Sequence, residues 1–335
     1  MNDSHDNRIV GFDLLKIFAL LIVVNSHFVA NYIPGLSEVN VLGNVLDNFS
    51  GKFGVIIFAL LAGLFSFRSG RKKELGDYLI KRYLFFFSCC FVCDLSFFLL
   101  NVNMARENST VGMVVSQCVF LGDYYCDTLW FIKDFLIGSF LCFVAGKYHF
   151  SYFIHVLSVL LLFYFGKPFI GAYFAGCLLD DILVRFSFFK SHIGRMMLLC
   201  FVFVFLLFRR EESNLVYFED LLRGMALVLF VMSFSIRFTE NYSRVIQWLS
   251  SLSMAVIIAH NLSFFFFDQL PLLNKMSVFP KYVLWFLLTL ALAMVYNILI
   301  RLLYSFLLKL LDWINKNDRK LAIIKTYVER IVVPV

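Results

Sequence analysis

Apolar residues gather along this chain in long blocks separated by short polar and basic clusters. A helix that crosses a bilayer needs about 20 mostly apolar residues. Blocks of that kind fall at residues 9–33, 53–68, 79–101, 128–146, 151–166, 169–186, 195–208, 219–237, 247–267 and 280–308. The pattern predicts an all-α, polytopic membrane protein with about ten transmembrane helices. Blocks 151–166 and 195–208 are short for a crossing, and residues 113–122 are apolar but too short to span. That last stretch fits a re-entrant or surface segment. The glycines and prolines define no internal repeat, and neither a phosphate loop nor a nucleotide fingerprint is present. No inverted duplication points to a secondary transporter.

Charge refines this picture. Arg68, Arg71, Lys72, Lys73, Lys81 and Arg82 cluster on one connection; Lys147, the group Arg185, Lys190 and Arg195, and the pair Arg237 and Arg244 fall on connections of the same side. The opposite connections carry fewer cations, so the bias predicts both termini in the cytoplasm. Composition agrees, because the chain is 61% hydrophobic and 16% charged, whereas soluble domains average roughly 45–50% and 25%. No polar stretch is long enough for a separate soluble domain. The net charge of +7 is dispersed as topology determinants, which excludes a nucleic-acid surface. The acidic start, Met1 to Arg8, is unlike a signal-peptide n-region, so the first block reads as an uncleaved span. Residues 1–308 form the transmembrane domain and 309–335 a basic cytoplasmic tail. The tail reads either as a helix on anionic lipid, through Leu310, Leu311, Trp313, Ile314, Ile323 and Ile324, or as a solvated segment. Cys89, Cys90 and Cys93 read as small buried residues, and Cys118 and Cys126 share a loop where a disulfide is possible. No metal site is indicated.

Chemistry is sought where polar side chains interrupt the apolar blocks. In the first block, Lys16 and His27 are eleven residues apart, so they share a helix face about 16 Å apart along the axis. Asp13 and Asn31 extend that strip. A polar strip on one face of a membrane helix points to an interior, functional surface. The alternative is an Asp13–Lys16 pair at the membrane boundary with a histidine near the other interface. At the start of the fourth block, Asp127, Trp130 and Asp134 share a face beside Lys133. Asp134 is placed at a depth similar to His27, where a carboxylate would orient an imidazole or raise its basicity. Lys133 and Asp134 neutralising each other is the other reading. Ser253 and His260 share a face but lie about 10 Å apart along the axis, too far for a nucleophile–base pair. Ser250, Ser251 and Ser253 read as helix-packing residues, with His260 free to line a cavity. Arg68, Arg71, Lys72 and Lys73, followed by Lys81 and Arg82, serve topology, or hold the phosphates of a coenzyme.

Taken in order, these segments resemble the acyltransferase-3 family of integral-membrane acyltransferases. Gly11-Phe12-Asp13-Leu14-Leu15-Lys16 with His27 is similar to the family's opening and its Arg-x10-His pair, with Lys16 at the arginine position. Gly54 to Gly63 resembles the second-span motif, with Ala62 in place of the usual serine. Tyr78 to Arg82 resembles the basic start of span three, Leu129 to Asp134 the Leu-Trp-Phe-Leu-Arg-Asp segment, and Phe174 to Gly176 and Leu252 to His260 later landmarks.

The resemblance implies transfer of an acyl group, usually acetyl, from acyl-CoA to a sugar hydroxyl. The acceptor would be a bacterial surface polysaccharide or its lipid-linked oligosaccharide precursor, and the enzyme would sit in the inner membrane. It maps the essential histidine onto His27 and its basic partner onto Lys16. On this expectation His27 and Asp134 are catalytic and Lys16, Lys81 and Arg82 bind the donor. Asp13, Asn31, Trp130, Lys133 and His260 then line the substrate pocket. Acetyl-CoA enters as a substrate, with no tightly bound cofactor, and membrane lipid is the remaining partner. A covalent acyl-histidine stays open. The competing readings are a permease or exporter of a glycan or acyl precursor, and a purely structural partner in a polysaccharide assembly complex.

Overall fold

A computed structural model describes residues 10–33, 51–100, 131–204, 214–233, 240–270 and 276–317. The described residues form eleven α-helices and one 3-10 helix, with no strand among them. The helices are α1 (Val10–Tyr32), α2 (Gly51–Gly70), α3 (Leu75–Leu99), α4 (Phe131–Lys147), α5 (Tyr152–Tyr164) and α6 (Pro168–Arg185). After the 3-10 turn Ser187–Lys190 come α7 (His192–Val204), α8 (Asn214–Met232), α9 (Glu240–Ser251), α10 (Ser253–Asp268) and α11 (Val278–Asn317). Each of the ten apolar blocks coincides with one of these helices or, for 247–267, with the pair α9 and α10.

Among the described residues, the number of clear membrane crossings is smaller than the number of blocks. Val10–Tyr32, Gly51–Gly70, Leu75–Leu99 and Val278–Ile314 are long and apolar enough, and Arg244–Ser251 with Ser253–Asp268 makes a fifth if taken together. Charge and length explain the rest. α6 carries Asp180, Asp181 and Arg185, and α8 carries Glu219, Asp220 and Arg223. α5 and α7 have 13 residues each, about 20 Å at 1.5 Å per residue, short of a core of about 30 Å. α11, at 40 residues, runs past position 308 without a break to Asn317. The stretch 113–122, Cys118, Cys126, Asp127, Trp130 and the tail beyond Asn317 lie outside the described residues.

The chain divides into two compact units, Met1–Arg68 with Ile137–Ser253, and Ser69–Leu136 with Met254–Val335. In the first, small residues let backbones touch, as in membrane helix packing generally. A Cβ on Gly63 would collide with the Tyr173 carbonyl, one on Gly176 with the Leu60 carbonyl, and one on Gly146 with the Phe67 carbonyl. α2 is thereby seated directly against α6 and α4. The α5–α6 hairpin follows from Gly166, whose positive φ of 69° suits the residue after a helix end. Lys167 N–H donates to the Leu162 carbonyl (2.7 Å) and Gly166 N–H to the Phe163 carbonyl (3.1 Å), and Pro168 opens α6 where a missing N–H does no harm.

In the second unit, α10 packs on α11 through Phe264 stacked on Trp285 (4.7 Å) and a Ser263–Thr289 hydroxyl pair (2.7 Å). α3 meets α11 through Phe85 set edge-on to Tyr304 (5.9 Å). Cys89, Cys90 and Cys93 are buried thiols, as their apolar context predicts. Phe153, Leu160, Leu287, Ile298, Leu302 and Phe306 face outward, an apolar exterior that only a lipid surround makes stable.

Candidate functional site

The first span is one unbroken helix, so Lys16 and His27 stand on a single rigid rod. Both are half-buried. Asn31 bends back to donate to the His27 carbonyl (2.9 Å), so this residue is engaged with its own helix.

At the other end of α1, Asp13 is only 1% exposed. It accepts a hydrogen bond from Ser250 Oγ of α9 (2.7 Å) and faces Lys16 Nζ at 3.8 Å. The boundary ion pair is therefore present, and a serine expected only to pack is part of it. The bond between Asp13 and Ser250 ties α1 to α9. Ser253 donates to the Ser250 carbonyl (2.5 Å) across the Leu252 interruption, a local bond of the kind serine makes where a helix breaks. His260 is fully buried, with Phe264 edge-on at 6.3 Å.

Lys16 belongs to a larger cluster. Its Nζ lies 5.4 Å from the centre of the Phe65 ring, Phe65 stands edge-on to Phe12 (5.2 Å), and Arg68 covers the other ring at 5.9 Å. Arg68 also grips Asp180 of α6 with two hydrogen bonds, Nε to Oδ2 at 2.8 Å and the second nitrogen to Oδ1 at 2.5 Å. The side chains of Lys16 and Arg68 keep 30% and 36% of their surface exposed, so both cations can still meet an anion from solvent. The two acids position them: Asp13 holds the lysine and Asp180 fixes the guanidinium plane. Arg68 was legible as one of a basic cluster serving topology or coenzyme phosphates, not as a neighbour of Lys16, and Asp180 carried no expectation.

In the second unit Lys81 and Arg82 line one groove of about 690 Å³ together with Lys73, Tyr78, Phe85 and Tyr304. Glu74 and Asp77 also border it, at the start of α3, where acids are favoured by the helix dipole. Arg82 lies over the Phe86 ring at 5.1 Å. Three cations against two acids, beside half-buried aromatic rings, suit a ligand with both phosphate and planar or apolar parts. Lys133 and Asp134 occupy the first turn of α4 and are half-buried. His27 is in the first unit and Asp134 in the second.

One charged pair escaped the sequence reading. Asp220 and Arg223 on α8 are both fully buried, 3.3 Å apart, and Arg223 lies 4.7 Å over the Phe53 ring of α2. Lys52, the preceding residue, stands 5.2 Å over Tyr217 of α8. The signal was available: opposite charges three apart inside an apolar block share a helix face. Among the described residues no three histidine, cysteine or acidic side chains gather as metal ligands.

A family model described as an acyltransferase domain matches residues 9–301. Comparisons with curated proteins and with solved structures gave no significant match.

Proposed function

Because this chain belongs to the acyltransferase-3 family and is a multi-pass membrane acyltransferase, we propose that it moves an acyl group, acetyl foremost, from acyl-coenzyme A to a sugar hydroxyl. The acceptor is a bacterial surface polysaccharide or its lipid-linked precursor, reached at the inner membrane. The observation carrying this reading is the family match over 9–301, inside which Lys16 and His27 occupy one continuous helix.

In this reading His27 is the general base. It takes the proton of the sugar hydroxyl as that oxygen attacks the thioester carbonyl. A carbon–oxygen bond forms, the carbon–sulfur bond breaks, and the coenzyme thiolate leaves with the proton returned by the imidazolium. Lys16 binds the negative part of the donor at the inner end of α1, with Arg68 available beside it in the same cluster. Lys81 and Arg82 bind donor phosphates in the groove they share. Asp134 is the second catalytic residue that the resemblance implies, and Trp130, Lys133 and His260 are its acceptor-site residues. Asp13 positions Lys16 through their ion pair. About ten spans with both termini in the cytoplasm complete the topology.

The experiment is acetylation of the surface glycan, followed by mass spectrometry, in cells making wild-type protein or His27→Ala at matched membrane levels. The variant is expected to lose the acyl mass. Undiminished acetylation would remove His27 from the reaction, and absence of any acyl mass in the wild type would remove the acceptor.

A further inference from the structure

A second concave site lies in the first unit, lined by none of the residues assigned above. α6, α7 and α8 enclose a groove of about 430 Å³, within the roughly 300–1,000 Å³ usual for ligand sites. Its floor is Ile182, Leu198, Ala226 and Leu229, and its walls include Phe186, Phe189, Met197 and Leu222. Every one of these is apolar, so the occupant is a hydrocarbon.

Two cations adjoin residues that line the groove. Arg185 immediately precedes Phe186 and Lys190 immediately follows Phe189, and both cations are exposed. Arg185 lies 5.0 Å over the ring of Tyr152, itself a lining residue. Asp181, one turn before Arg185, is the nearest acid on the same helix, yet the guanidinium is turned toward Tyr152. Arg195 is engaged elsewhere, donating to the Ser233 carbonyl at the end of α8 (2.9 Å). Local structure holds the 3-10 turn in place. Ser191 Oγ accepts from Gly194 N–H (3.0 Å), and any Cβ at Gly194 would strike the Phe188 carbonyl. The 3-10 turn therefore sits tightly on the start of α7, carrying Lys190 with it.

We propose that this groove seats one acyl chain of an anionic phospholipid, with the headgroup phosphate on Arg185 and Lys190. Two cations beside an apolar trough match an anionic headgroup joined to a chain better than they match a zwitterionic one. Basic connections face the leaflet richest in such lipids.

The full chain, purified in mild detergent, is incubated with phosphatidylglycerol or phosphatidylcholine and bound lipid is counted by native mass spectrometry. Wild type is expected to keep phosphatidylglycerol in preference. Arg185→Gln with Lys190→Gln should lower that retention by about fivefold per charge removed, and Leu222→Trp, which fills the trough from a wall position 39% exposed, should lower retention of either lipid. Equal retention of both lipids by wild type overturns the proposal, as does unchanged retention in the charge variant or in Leu222→Trp. Met197→Trp, from α7 rather than α8, repeats the test should Leu222→Trp not fold. Displacement of the lipid by excess glycerol phosphate would also overturn it, because the chain would then contribute nothing.

Discussion

Replacing Arg223 by methionine probes the buried pair on α8. The substitution keeps most of the side-chain volume and removes the charge. Arg223 is fully buried, 3.3 Å from Asp220 and 4.7 Å over the Phe53 ring. A hydrogen bond between charged groups contributes about 1.5–3 kcal/mol, and a desolvated cation–aromatic contact about 2 kcal/mol. Breaking a buried pair by removing one partner costs about 3–5 kcal/mol. Unfolded membrane segments recover some partners, which places the expectation near the lower end, at about 3 kcal/mol. The assay is thermal unfolding of the detergent-purified chain, with Asp220→Asn, Arg223→Met and the double variant compared. Arg223→Met should melt well below wild type, and adding Asp220→Asn should recover more than half of the loss, because the remaining carboxylate is then neutral. A double variant as unstable as the single, or a single variant that melts with wild type, would refute the pair as the source of the stability.

Gly63→Ala should destabilise the first unit by several kcal/mol, since the new methyl meets the Tyr173 backbone rather than a mobile side chain; its melting temperature checks this. His149→Gly should stabilise by about 1 kcal/mol, because His149 holds a φ of 52° that costs roughly 1–2 kcal/mol for a residue with a Cβ; chemical denaturation reads the gain. Arg82→Gln should raise the KM for the acyl donor about tenfold or more with little change in kcat, the mark of lost ground-state binding, in an assay on membranes with varied acyl-CoA.

The helices were legible because their information is local. Twenty apolar residues predict a helix whatever its neighbours, and each expected block met one or two helices, with ends that differ by as much as the run from position 308 to Asn317. Breaks within a block were harder. Leu252 interrupts 247–267 by a turn in which its N–H donates to the Leu249 carbonyl (3.0 Å), and no glycine or proline marks the place. In the site, the strip on α1 was visible because periodicity places Lys16 and His27 on one face. The partner of Asp13 was not, since Ser250 lies 237 positions away and pattern does not carry such distances. Asp180 was hidden for the same reason, 112 positions from Arg68. Asp220 and Arg223 differ: their spacing is local, and attention to opposite charges inside an apolar block would have found them.

The contact of α2 with α6 has a consequence for the ion pair near its end. Where Gly63 meets the Tyr173 carbonyl and Gly176 the Leu60 carbonyl, no layer of side chains separates the two helices. Main-chain contact of this kind cannot be opened by a side chain changing rotamer. Arg68 lies five residues beyond Gly63 and Asp180 four beyond Gly176, so the two glycines set the separation across which the guanidinium meets the carboxylate.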